Sequence, residues 1–199
     1  MAEQLLLRSV SFDTSFLLKK DLRIDEVIHL LARDKIPCYI TSTVASELEQ
    51  LKVWGRIPQS TYKTAMKRLA HVHATVIDFK NRLLADAFGQ VCVRSMEDHH
   101  GVRSPDIIND CSIIVSALKH GVDLFLSEDF HFTSAITKDV INEVQSAACT
   151  EYQQMCETAM YSIDARTFLE AYGQAVINLD VVRLRIQTIR KDGKRLGRS

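Results

Sequence analysis

The stretch Asn109-Asp110-Cys111-Ser112-Ile113-Ile114-Val115-Ser116-Ala117-Leu118-Lys119-His120-Gly121-Val122-Asp123-Leu124-Phe125-Leu126-Ser127-Glu128-Asp129-Phe130 holds a helix and a strand in one continuous run. Cys111, Ile114, Val115 and Leu118, with Ile107 before them, recur at helical spacing and form one apolar stripe. Gly121 stops the helix, and Val122–Leu126 follows at once as a short, wholly apolar run of the kind buried in a parallel sheet. Two acids frame the unit: Asp110 borders the apolar stripe, and Asp129 stands just past the strand.

Reading outward, Ser104-Pro105-Asp106 supplies a cap residue, a proline at the first helical position and an acid in the first turn, which together start the helix. Ser9–Phe12 is a short β-prone run ending at Asp13, with Thr14-Ser15 capping a helix beyond it. Ile24–Arg33 is helical, Pro37–Ile40 is a second buried strand, and Thr41-Ser42-Thr43 opens a helix that stops near Trp54-Gly55. Pro58–Leu69 is helical, Ala74–Ile77 is a third strand, a helix crosses Arg82–Phe88, and Gln90–Arg103 fits neither period. Beyond Ser134 the pattern predicts helix only, over Ala135–Tyr161 with breaks and over Ala165–Ile189 with an interruption at Gly173. Alternating β and α elements predict an α/β fold around a mostly parallel sheet.

Composition bounds the rest. A chain of 199 residues, 46% hydrophobic and 25% charged, has the length and balance of one domain with a core of its own. No apolar run approaches the ~20 residues of a membrane span, and Met-Ala-Glu-Gln opens no secretory signal, so the expected location is cytoplasmic with no membrane partner. Five cysteines without a Cys-x-x-Cys pair predict reduced, mostly buried thiols. Lys+Arg and Asp+Glu are equal at 25 each, yet residues 183–199 carry a net +6 and the remainder −6. A basic tail on an acidic body can hold a phosphate backbone, or be a solvated terminus.

The acids are the informative residues, because ligands of open α/β sheets bind at the carboxyl ends of the strands. Asp13 and Asp129 follow strands, Glu47 lies in the first turns of the helix after the second strand, and Asp110 sits in the last long αβ unit. Each acid has an ordinary reading. Asp13 serves equally as a helix cap, Asp129 as a turn residue and Glu47 as a surface acid near a helix start. Asp106 and Asp110, four apart on one helical face, repel each other; Asp106 is excused by its place in the first turn and Asp110 is not.

The motifs Phe12-Asp13-Thr14-Ser15, Thr43-Val44-Ala45-Ser46-Glu47-Leu48 and Asn109–Phe130 resemble those of the PIN-domain nucleases, which include the VapC-type toxin ribonucleases. The resemblance spans about residues 8–135. It implies a Rossmann-like three-layer α/β/α sandwich with additional C-terminal helices, and divides the chain into a PIN-like nuclease domain over 1–135, a helical extension packed on it over 136–182 and a basic tail over 183–199. It implies that Asp13, Glu47, Asp110 and Asp129 are both catalytic and ligands to Mg²⁺ or Mn²⁺, with Asp106, Ser127 and Thr14 in support. The implied activity is metal-dependent endonucleolytic hydrolysis of RNA, a cation activating water for in-line attack on phosphorus. The chain's length and helical C-terminus depart from the compact toxin-type members, which sets an antitoxin-like protein partner low among the expectations.

An acidic site needs cations nearby to hold single-stranded or structured RNA. The candidates are Lys52, Arg56, Lys63, Lys67, Arg68, Arg183, Arg185, Arg190 and Lys191. Trp54 could stack on an unpaired base, although a lone Trp near a helix end is more often packing. His71-x-His73 and His99-His100 lack companion ligands, and no Gly-x-Ser-x-Gly elbow is present. The competing reading is a non-catalytic PIN-like module binding RNA or a protein, and the apolar helical faces also suit a homodimer.

Overall fold

The computed structural model describes residues 3–101, 104–149, 151–152, 155 and 159–186. The chain folds as α/β around a five-stranded, all-parallel sheet flanked by helices. Its strands are β2 (Val10–Phe12), β3 (Cys38–Thr41), β4 (Thr75–Ile77), β5 (Leu124–Leu126) and β6 (Tyr161–Ile163), in the order β4-β3-β2-β5-β6. β1 (Gln4–Leu6) lies outside it, antiparallel to β8 (Val176–Asn178), which turns back on β7 (Tyr172–Gly173).

The helices include α1 (Thr14–Leu18), α2 (Leu22–Arg33), α3 (Ser42–Val53), α4 (Gln59–His71), α5 (Arg82–His100), α6 (Ser104–Lys119), α7 (Phe130–Thr133), α8 (Ala135–Ala148) and α9 (Ala165–Ala171), and residues 179–186 are helical as well. One layer is built from α5, α6 and α8, another from α1, α2, α4 and α9, as in a Rossmann-like three-layer sandwich. Side-chain caps carry the helix starts: Asp21, Thr41, Asn81 and Asp164 each accept a backbone N–H from the first turn of α2, α3, α5 and α9. Phe12, Phe125, Phe132 and Phe168 are fully enclosed in the core, and β2 and β5 are buried along their whole length, as central parallel strands must be.

Three expectations need correction. The region after Ser134 is not helix alone: Tyr161–Ile163 is the fifth parallel strand, in register with Leu124–Leu126, and 172–178 is a hairpin. A three-residue strand carries too little sequence for a period, so burial beside β5 decides its conformation. Gln90–Arg103 is helical as far as His100, where Gly101 at φ +65° ends α5. The thiols are not all reduced: Cys92 of α5 and Cys111 of α6 form a disulfide across 5.5 Å between Cα atoms, Cys149 is disulfide-bonded as well, and Cys38 is free and buried. The packing of α5 along α6 brings together two cysteines that sequence alone keeps 19 residues apart. Among the described residues, no helix is long and apolar enough to cross a membrane.

A candidate acidic site at the carboxyl edge of the sheet

All five parallel strands end at one edge, and β2 runs between β3 and β5 at its centre. Phe12 pairs with Leu126, so the residues that follow, Asp13 and Ser127, emerge side by side. The Asp13 amide donates to the Leu126 carbonyl at 2.9 Å. Its carboxylate, almost wholly buried, accepts from the Ser15 amide at 3.2 Å, the Ser15 hydroxyl at 2.5 Å and the Ser127 hydroxyl at 2.9 Å. Ser127 Oγ in turn accepts the Asp129 amide at 3.0 Å, and Ser15 Oγ accepts the Glu128 amide at 3.0 Å. One hydroxyl pair therefore fixes both the first acid and the turn that presents the last. Asp129 caps α7 through the His131 amide at 2.8 Å.

Helix α3, which follows β3, delivers Glu47. Its Oε2 accepts the Thr14 hydroxyl at 2.6 Å and its Oε1 accepts the Asn109 side-chain amide at 2.8 Å, which joins α3 to α1 and α6. Thr43 and Ser112 hydroxyls, 2.9 Å apart, clamp the same two helices, α3 and α6. Asp110 is next to Asn109, and its carboxylate has no hydrogen-bond partner among the described residues. Burial, together with the charges of Asp13, Asp129 and Glu47, pushes its carboxyl up to about 8. Burial also raises the Asp13 carboxyl, against the hydrogen bonds that favour its charge. The structure thus gathers Asp13, Glu47, Asp110 and Asp129 with Thr14 and Ser127 at one end of the sheet. The Asp106 side chain lies outside the described residues, although its backbone belongs to α6, one turn before Asp110.

The donor set suits a hard cation. All four acids offer oxygen, and the groups that orient Asp13 and Glu47 are hydroxyls and amides, with no Lys or Arg bonded to any of the four among the described residues. As they stand, no three His, Cys, Asp or Glu side chains among the described residues are close enough to grip one ion, so coordination requires their rotation toward it. Among the described residues the free thiol is that of Cys38, which burial pushes up to about 12.

Some expected residues do other work. Arg68 is not a surface cation: it is 5% exposed and donates to Asp25 at 2.8 Å and to the Leu17 and Lys19 carbonyls at 2.7 and 2.9 Å. Arg183 is bound to Glu3 and Arg185 to Glu170, while Arg190 and Lys191 lie outside the described residues. Lys52 reaches Glu49 at 3.3 Å and sits 4.5 Å from the Tyr62 ring centroid. Arg56, Lys63 and Lys67 are exposed as expected. Conversely, Ser15 and Asn109 were not expected to touch the acids. Ser15 was legible only as a capping residue, and Asn109 only as the neighbour of Asp110. Phe130, half exposed directly after Asp129, also borders the site.

In comparison with known proteins, no family model, no curated protein and no solved structure matches the chain.

Proposed function

We propose that the protein is a PIN-like, divalent-metal-dependent endoribonuclease acting through Asp13, Glu47, Asp110 and Asp129. The observation that carries this reading is Asp110, half-buried among three other carboxylates with no Lys or Arg of the described residues bonded to any of them. An arrangement of that kind is costly unless positive charge is brought to it. Mg²⁺ or Mn²⁺, held by these four acids, supplies a water of lowered pKa and charge neutralisation at the phosphoryl oxygens.

The chain's own residues do the remaining work. Ser15 and Ser127 hold the buried Asp13 carboxylate in place at the end of β2, and Thr14 and Asn109 fix both oxygens of Glu47. Burial and the three neighbouring carboxylates raise the Asp110 carboxyl, so among the four it is the acid whose ionisation gains most from a bound cation. RNA is the substrate under this reading. A cytoplasmic location goes with it, against which the Cys92–Cys111 disulfide pulls, because cytosolic thiol pools reduce most such pairs.

The test is cleavage of labelled single-stranded, hairpin and tRNA-like RNAs with Mg²⁺ or Mn²⁺, beside EDTA and Asp110→Asn controls. Cutting that is lost in both controls supports the reading. Binding without cutting across the panel replaces it with a non-catalytic RNA-binding module.

A further inference from the structure

Helix α3 carries Glu47 and, at its end, Trp54. Seven residues amount to about two turns, so the two Cα atoms lie ~10 Å apart along the axis and within ~20° around it. Trp54 is 60% exposed and its neighbour Val53 is 74% exposed, which overturns the packing reading of this Trp. The Arg56 guanidinium stands 5.0 Å from the indole centroid. Backbone bonds set that geometry: the Trp54, Gly55 and Arg56 amides donate to the Gln50, Lys52 and Leu51 carbonyls at 2.9, 3.1 and 2.9 Å. Gly55 makes the turn at φ +64°.

The charges point to the same place. Of the described basic candidates, Lys52, Arg68, Arg183 and Arg185 are engaged by carboxylates. Arg56, Lys63 and Lys67 have no carboxylate partner among the described residues, and all three lie at the end of α3 or on α4, which follows across the loop 54–58. Arg56 thus stands on the exposed ring, Lys63 and Lys67 follow on the exposed side of α4, and α3 joins the ring to the acidic edge. An indole with a guanidinium on it is a sequence-tolerant surface for a nucleobase, but only for one not already stacked within a duplex.

We propose that Trp54 and Arg56 form a stacking platform for an unpaired base of single-stranded RNA, with Lys63 and Lys67 holding adjoining phosphates, so that the strand leads along α3 to Glu47. The inference rests on the reading of the acidic cluster as an RNA-cleaving site and specifies its substrate as single-stranded beside the cut.

Trp54 is the sole tryptophan of the chain, so its fluorescence reports on this position alone. Asp110→Asn protein in Mg²⁺ is titrated with a labelled single-stranded oligoribonucleotide and with its blunt duplex, following both indole emission and RNA anisotropy. Expected are quenching by the single strand only, about tenfold or greater loss of affinity in Trp54→Ala with much of it kept in Trp54→Phe, and a weaker salt dependence in Arg56→Gln. RNA that binds without changing the emission, undiminished binding by Trp54→Ala, or no binding of either RNA overturns the platform. An emission shift that grows with protein concentration alone also overturns it, assigning the patch to a second copy. Weakened binding in Trp54→Ala with no metal-dependent cutting by the unmodified protein keeps the platform and removes the nuclease. Cutting with an unchanged KM in Trp54→Ala does the reverse.

Discussion

The Thr14 hydroxyl donates to Glu47 Oε2 at 2.6 Å, tying the residue after Asp13 to the acid delivered by α3, the helix after the neighbouring strand. With Asn109 on the other oxygen, Glu47 is held at both ends by groups that leave its charge intact. Orienting contacts of this kind set how well a ligand can serve a cation. Thr14→Val removes the donor while keeping the shape. The expected loss is about 10–100-fold in affinity for Mn²⁺, against a stability change of only about 1 kcal/mol. Mn²⁺ titration of the thermal midpoint, run beside urea denaturation without metal, separates the two; equal metal affinity in both proteins removes Thr14 from the site.

Asp110 gives the metal-free protein a distinctive pH response. Its carboxyl is raised to about 8 in the folded chain by burial and by Asp13, Asp129 and Glu47, whereas in the unfolded chain it titrates near ~4. Between those values the native state holds a proton that the unfolded state has lost, so stability falls as pH rises through this window. The raised Asp13 carboxyl acts in the same direction. Thermal melts in EDTA from pH 5 to 8 should show a decreasing midpoint, and Asp110→Asn should flatten that decrease. Added Mn²⁺ should stabilise more at pH 8 than at pH 5, because the ionised carboxylates bind it.

The parts of this site legible in the sequence are those a single strand-to-helix junction encodes. Asp13, Glu47 and Asp129 could be located because each follows a recognisable strand, and the parallel order of those strands gathers them. Asn109 could not be assigned, since its partner Glu47 comes from another element, and Ser15, a local partner of Asp13, meets Ser127 and the Glu128 amide only once β2 and β5 have paired. Charge pairing is hidden in the chain for a related reason. Arg183 and Arg185 look free in the chain, but Glu3 and Glu170 reach them only once β1 has paired with β8 and α9 is in place. Arg68 did leave a signal: it falls at helical spacing with Thr61, Tyr62, Ala65 and Leu69, on the buried face of α4.

Arg68 should accordingly behave as a brace between α4, α1 and α2. It satisfies two carbonyls just where α1 ends and pairs with Asp25, whose own side chain is largely exposed. Arg68→Met keeps the aliphatic packing and orphans both carbonyls, at a cost of about 2–4 kcal/mol. Urea denaturation checks this. RNA affinity of the folded variant should be unchanged, and a reduced affinity with full stability would return Arg68 to the binding surface.

The disulfide between Cys92 and Cys111 lies one residue from Asp110 and fastens α6 to α5. Both sulfurs are buried, so the bond constrains the pair of helices from within the core rather than at the surface. Closing a loop of 19 residues in the unfolded chain corresponds to roughly 3 kcal/mol of stability. Cys92→Ser with Cys111→Ser should lose about that amount in urea denaturation without reductant, and the unmodified protein should lose a similar amount once reduced. The position of Cys111 adds a second consequence. If α6 shifts on reduction, Asp110 and Asn109 shift with it, and Mn²⁺ affinity should fall alongside stability. Loss of stability with unaltered Mn²⁺ affinity would assign the bond to the scaffold alone, with Asp110 held by the Thr43–Ser112 and Glu47–Asn109 contacts instead.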